Sequence, residues 1–302
     1  MRLNHVLRAW RADKQTVGAW LSIDSSHTAE NLAHAGFDWL CVDLQHGLLD
    51  YTDLKVMLPA ISTTHTIPFV RVPWNEPYEI MKALDVGAYG VVVPLVNNRQ
   101  EAEKAVSACR YPPDGMRSFG PARAAMYGGR GYARGANDEI ACIVMIETAE
   151  ALDNLDEILS TPGVDAAYIG PSDLAYAIGL TPRGDNNEPS HVETVDRILA
   201  ACKKNNVAAG IHTGSLEYTT RYLQQGFNMV TLGEKFLNLL VRTYREKGGR
   251  LDDDLPRRMR QAILEREVGG LIYALRYPES NELVDSLAKI RQLLVSMERS
   301  DY

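Results

Sequence analysis

An α/β chain folded as a (β/α)8 TIM barrel with a C-terminal helical extension is what this sequence predicts. Three observations carry the prediction. Short β-branched runs alternate with longer amphipathic stretches from near the N-terminus to about residue 247, and eight such units can be counted. Several of the strand candidates are continuous apolar runs, as parallel strands are when helices cover both faces. A doubly wound open sheet is the alternative reading of the same alternation.

Taken in order, the strand candidates are TVGAWLS, DWLCVD, PFVRV, YGVVVP, ACIVMIE, AAYIG, VAAGI and NMVTL. Helical stretches follow them, among them YTDLKVMLPAIS, PYEIMKALDVG, RQEAEKAVSACR, AEALDNLDEILS and VETVDRILAACKKNN, several ended by the Gly or Asn that commonly caps a helix C-terminus. The Pro-, Gly- and Arg-rich region from Arg110 to Asp138 interrupts this rhythm and is too long for an ordinary connection, so a functional loop or a small excursion is expected there. From about Leu251 two further amphipathic helices separated near YPES are expected to cover a barrel face or a subunit contact. The domain reading is therefore a barrel over residues 1–250 and a helical extension over 251–302.

Composition narrows the function. A chain of 302 residues, 45% hydrophobic, has material for one large core. Its net charge of -7 and the lack of Lys/Arg clusters interleaved with aromatics argue against nucleic acid and for small-molecule partners. Nowhere do apolar residues run far enough to cross a bilayer, and a cytoplasmic enzyme is expected. Cys41, Cys109, Cys142 and Cys202 are scattered, without a C-x-x-C pair, and read as reduced, buried thiols.

In a barrel of this kind chemistry gathers at the C-terminal ends of the strands. The second strand ends at Asp43, with His46 just beyond; the third carries Arg71; the fifth ends at Glu147; the sixth is followed by GPSD, which contains Asp173. Strand ends in a core need no charge, so convergence of these groups on one mouth favours a site. Glu147 and Asp173 supply two hard oxygen ligands suited to Mg²⁺ or Mn²⁺ that keeps waters and accepts a chelating substrate, although either acid alone could be a helix cap or an ion-pair partner. Arg71 offers a planar fork for a carboxylate or an enolate oxygen, with structural pairing to Glu147 as the competing account. His46 titrates near neutrality on a loop, which suits a proton shuttle, and Asp85 in KALDVG is available to orient its ring. Surface placement is expected for His5, His27, His34, His65 and His191.

The blocks GFDWLCVDLQHG, VRVPWNEP, LDVGAYGVVVPLV, RYPPDGMRSFG, IETAEALDNLDEI and GVDAAYIGPSDLA, in this order over residues 15–245, resemble the class II metal-dependent pyruvate aldolases of the 4-hydroxy-2-oxoheptanedioate and 2-dehydro-3-deoxyglucarate aldolase type. The resemblance implies a (β/α)8 barrel assembled as a homo-oligomer, a trimer or hexamer with an exchanged terminal helix, that reversibly cleaves a 4-hydroxy-2-oxoacid to pyruvate and an aldehyde. It implies Glu147 and Asp173 as ligands of a divalent ion, Mg or Mn first and Co or Zn as further options. By the same resemblance His46 is the base, its basicity raised by Asp85, Arg71 stabilises the transition state, and the turn at Ser172 and Asp173 binds the pyruvate carboxylate. Three positions depart from the family pattern: Gln45 stands where an acid usually precedes the base, Met145 where a glutamine usually contacts substrate, and His212 where an aliphatic residue is usual. Met145 and His212 are accordingly expected to shape the substrate pocket, with a structurally packed ring as the alternative for His212.

Three other functions fit parts of the pattern. A Schiff-base aldolase needs a desolvated lysine at a strand end, for which Lys235 is the approximate candidate. An acyl-CoA lyase of the malyl-CoA type shares barrel and metal chemistry, and a non-catalytic 2-oxoacid-binding protein would keep the same site without turnover.

Overall fold

The structure is a computed structural model and describes residues 1–232. The expected extension over 251–302 and Lys235 lie outside the described residues.

Each apolar run becomes a strand: β1 (Thr16–Leu21), β2 (Trp39–Asp43), β3 (Ile67–Arg71), β4 (Gly90–Val93), β5 (Ala141–Ile146), β6 (Ala166–Ile169), β7 (Ala208–Ile211) and β8 (Met229–Thr231). All neighbours run parallel in sequence order, and Thr16–Gly18 pair with Met229–Thr231 to close the ring. Closure excludes the open doubly wound sheet. Around the barrel lie α2 (Ser26–His34), α3 (Tyr51–Ile61), α4 (Pro77–Asp85), α5 (Arg99–Cys109), α8 (Ala149–Asp153), α9 (Leu155–Leu159), α10 (Pro171–Ala177), α11 (Pro189–Asn205) and α12 (Leu216–Gln225). The stretch AEALDNLDEILS, expected as one helix, is two. Asn154 breaks it, with φ -98° and ψ 17°, and its side-chain amide donates to the Asn97 carbonyl at 2.9 Å instead of facing solvent.

Small residues inside the barrel are matched to rings on the neighbouring strand. A Cβ on Gly18 would lie 2.1 Å from the Trp39 indole, and one on Gly210 would lie 2.6 Å from the Tyr168 ring. Those glycines therefore leave the volume that Trp39 and Tyr168 fill, and substituting either would force the ring off its rotamer. Below them, α1 (His5–Arg11) plugs the N-terminal end of the barrel: Trp10 is buried, lies 5.8 Å from the Phe69 ring and donates its indole N–H to Thr16 Oγ1 at 2.9 Å.

The region from Arg110 to Asp138 also belongs to this lower end, because it joins the bottom of α5 to the start of β5. It is a packed excursion containing α6 (Ala122–Gly128) and most of α7 (Tyr132–Glu139). Arg117 is its buried anchor, with its guanidinium 4.4 Å from the Tyr111 ring centroid and 5.7 Å from that of Tyr132. Among the described residues no helix is long and apolar enough to cross a membrane.

Candidate active site

The register of β2 on β3 sets Asp43 beside Arg71 at the C-terminal rim. Their side chains form a two-pronged ion pair, Arg71 Nε to Asp43 Oδ1 at 2.7 Å and Nη2 to Oδ2 at 2.5 Å. The arginine thus pairs with Asp43, and the alternative of a structural pair with Glu147 is not what the fold adopts. Asp43 Oδ1 also accepts the backbone N–H groups of Gln45 (3.1 Å) and His46 (3.3 Å), so one carboxylate fixes both the arginine and the loop that carries the histidine. Burial pushes the Asp43 carboxyl up, but the Arg71 fork and these N–H groups outweigh it and hold the group below its ordinary 3.8. Gly47 is required by the tightness of the turn, since a Cβ there would lie 2.2 Å from the Asp43 carbonyl oxygen. His46 itself is exposed at the rim.

Glu147, one residue past β5, is 3% exposed. Its Oε1 accepts the Leu95 N–H at 2.9 Å, and its Oε2 lies where a Cβ on Gly170 would be 2.5 Å away. Leu95 holds a left-handed backbone, φ 53°, unusual for a leucine. Burial pushes the Glu147 carboxyl up to about 7, with the like charge of Asp173 adding to it against the Leu95 N–H and Arg71. Neither Glu147 nor Asp173 has a salt-bridge partner among the described residues. Glu147 and Asp173 are neighbouring hard oxygen donors without an ion pair among the described residues, which fits a divalent ion that would take the place of the Glu147 proton. Among the described residues no third His, Cys, Asp or Glu joins them, so the pair fits an ion whose other positions go to water and substrate.

One cavity of about 340 Å³ is lined by Asp43, His46, Arg71, Met145, Ser172, Asp173 and His212, with Trp20, Ser22 and Tyr168 beside them, and Glu147 lies against Gly170 of its wall. Asp173 and Ser172 sit in the first turn of α10, whose N-cap Gly170 offers no side chain. Sequence reasoning missed the aromatic wall: Trp20 stacks on Tyr168 (5.2 Å between centroids, 19°), meets His212 edge-on (5.4 Å, 89°) and lies 5.2 Å from the Arg71 guanidinium carbon. Continuous apolar runs give no sign that Trp20 of β1 and Tyr168 of β6 meet across the ring.

One pairing is not made within the chain, and one expectation is corrected. Asp85 does not reach His46 within the chain. It is the last residue of α4, and a helix that follows a strand ends at the opposite, N-terminal end of the barrel, where the Asp85 carboxylate accepts from Arg117 Nη2 at 2.8 Å. His191 is not at the surface, although His5, His27, His34 and His65 are exposed as expected. It is fully buried at the start of α11, and its Nε2–H donates to the Pro171 carbonyl at 3.1 Å, directly beneath the turn that carries Ser172 and Asp173. Burial pushes its pKa down from 6.5, keeping the ring neutral at pH 7.

Residues 16–239 match the family model described as HpcH/HpaI aldolase/citrate lyase. The chain belongs to that family. It is 39% identical over 229 residues to a hydroxypyruvate/pyruvate aldolase of Rhizorhabdus wittichii, covering 76% of this chain and 91% of that one. It is 43% identical over 213 residues to a 2-dehydro-3,6-dideoxy-6-sulfogluconate aldolase of Pseudomonas putida, covering 70% and 83%. The crystal structure of a family protein from Burkholderia cenocepacia J2315 superposes with a TM-score of 0.74 at 38% identity, over 80% of this chain and 97% of that one. As an HpcH/HpaI aldolase the protein is a carbon–carbon lyase.

Proposed function

We propose that the protein reversibly cleaves short 4-hydroxy-2-oxoacids to pyruvate and an aldehyde, using a divalent ion held by Glu147 and Asp173. The observation that supports this reading is the meeting of Asp173, the fixed Arg71 and the exposed His46 around one cavity, with the Glu147 carboxylate packed against its Gly170 wall. When bound, the ion supplies Lewis-acid stabilisation of the negative charge that develops on the keto oxygen.

The chain's own residues supply the rest. His46 takes the 4-hydroxyl proton as the C3–C4 bond breaks, the bonding pair passing to the enolate of pyruvate; the same ring then returns a proton to C3. In the reverse direction it takes a proton from the pyruvate methyl. Arg71 has Nε and Nη2 committed to Asp43, which fixes the plane of the guanidinium and leaves Nη1 for the enolate oxygen. The turn at Ser172 and Asp173 holds the pyruvate carboxylate through backbone N–H groups, Met145 packs beside it, and His212 lies on the aldehyde side.

Mg²⁺ or Mn²⁺ fits the all-oxygen pair best. We assign a cytoplasmic location and a homo-oligomer, trimer or hexamer, with the segment 251–302 serving assembly or face covering. That segment lies past the family match, which ends at residue 239. The activity is tested with a panel of free 4-hydroxy-2-oxoacids, reading pyruvate release with and without chelator. Release that needs a metal, proceeds without any CoA ester and leaves no covalent adduct on borohydride treatment is the expected result. Adduct formation would point to imine chemistry, a requirement for a CoA ester to an acyl-CoA lyase, and binding without release to a 2-oxoacid-binding protein.

A further inference from the structure

We infer that Asn97 is a positioning residue for Glu147: its side-chain amide ties the turn at Leu95 to Thr148 and so sets which carboxylate oxygen faces the ion. The inference rests on the metal reading above and deepens it by naming the residue that orients one ligand.

Val93 of β4 pairs with Val144 of β5, so Leu95 comes level with the end of β5 at the rim. The ladder does not continue there. Leu95 takes a left-handed backbone, φ 53°, and turns its N–H to Glu147 Oε1 at 2.9 Å. A residue with a side chain occupies that conformation at a cost, so neighbouring contacts must hold it. Asn97 supplies one of them. Its Nδ2 donates to the Leu95 carbonyl at 3.0 Å, and its Oδ1 accepts from the Thr148 hydroxyl at 2.5 Å. Because the Leu95 carbonyl can only accept, the amide has one possible orientation. Thr148 Oγ1 accepts the Ala151 N–H at 3.0 Å as the cap of α8, which leaves its own proton for Asn97. Thr148 directly follows Glu147. Leu95, Asn97, Thr148 and Glu147 therefore close a ring of contacts around the carboxylate.

The ring commits Oε1 to the Leu95 peptide and leaves Oε2 on the side of Gly170, where the first turn of α10 carries Asp173. Glu147 thus presents one oxygen in a fixed direction. The next residue shows the contrast, since Asn98 is an ordinary helix cap that accepts the Glu101 N–H at 3.0 Å and starts α5. The Asn97 backbone is anchored by other groups: its N–H donates to Glu101 Oε2 at 2.7 Å, and its carbonyl accepts from the Asn154 amide at 2.9 Å. Replacing the side chain leaves both anchors in place. Groups that orient a metal ligand from behind are worth about 10-fold to 100-fold in metal affinity.

The test is the Mn²⁺ affinity of the full-length protein, stripped with chelator and titrated at one pH, read from the EPR signal of the free ion. Asn97→Ala is expected to weaken binding by about 10-fold to 100-fold. Adding Leu95→Gly to that variant is expected to regain part of the loss, because glycine enters the left-handed region readily and keeps the N–H that holds Oε1. A general loosening of the fold would instead be deepened by the added glycine. Asn97→Ser, too short to reach both Leu95 and Thr148, carries the same expectation if Asn97→Ala does not fold. Wild-type affinity in the Asn97 variant, or no regain on adding Leu95→Gly, overturns the inference. Glu147→Gln separates this from the metal reading. Mn²⁺ binding as tight in Glu147→Gln as in the wild type would strike the metal reading itself, whereas weak binding there beside tight binding in Asn97→Ala would strike the inference alone.

Discussion

Glu147→Gln isolates what it costs the fold to hold a buried carboxyl at the barrel mouth. The carboxyl is 3% exposed and its pKa is raised from 4.5 to about 7, chiefly by burial. The folded state therefore holds this proton through a pH range in which the unfolded chain has released it. Stability from this group is fully present below 4.5 and declines as pH rises to about 7, beyond which the loss is complete. At about 1.4 kcal/mol per tenfold, moving the carboxyl from 4.5 to about 7 corresponds to about 3 kcal/mol. Glutamine mimics the neutral acid and does not titrate. The metal-free wild type should thus lose about 3 kcal/mol relative to metal-free Glu147→Gln between pH 4.5 and 8. Denaturant unfolding of both proteins in chelator, at matched pH values, reads the difference, and contributions of groups that do not interact with Glu147 cancel in it. Parallel pH dependences for the two proteins would refute the reasoning.

Other substitutions follow from the same geometry. Asp43→Asn leaves the buried Arg71 without its anion and frees the His46 loop, so a loss of about 3–5 kcal/mol in unfolding free energy is expected together with loss of turnover. Asp43 in the wild type contributes stability above its unfolded value of 3.8 that disappears as pH falls through its lowered folded pKa, and acid titration of unfolding should show this component missing in the variant. His191→Leu removes the donor to the Pro171 carbonyl; KM for the 2-oxoacid is expected to rise several-fold at a stability loss of about 1–3 kcal/mol, with His191→Gln closer to wild type in steady-state kinetics. Deleting 251–302 should change the oligomeric mass seen by light scattering.

The barrel was legible because parallel strands covered on both faces announce themselves as apolar runs, and all eight candidates fall on observed strands. The position of Glu147, Asp173, Arg71 and His46 at the C-terminal rim was legible for a related reason: each stands at or just past the end of such a run. What the sequence withheld depends on register and on three-dimensional neighbourhood. Asp43 was visible as a strand end, but its pairing with Arg71 is set by which residues of β2 and β3 stand side by side. Leu95 carries no signal, since leucine is not a residue that turns select, and its N–H acquires meaning only from Glu147. Asp85 does not meet His46 within the chain because it ends α4, and the C-terminus of a helix that follows a strand lies at the N-terminal end of the barrel. His191 was misplaced because a lone histidine among polar neighbours at a helix start gives no indication that it faces inward.

The most direct test of the account is deuterium exchange of the pyruvate methyl group followed by NMR, which requires enolate formation but no aldehyde. Metal-loaded wild type is expected to exchange, chelated protein to stop, and Glu147→Gln and Asp173→Asn to recover in part with excess Mg²⁺ or Mn²⁺. His46→Ala is expected to bind metal yet not exchange. Exchange at full rate in metal-free protein, or in metal-loaded His46→Ala, would contradict the assignment of the carboxylates or of the base.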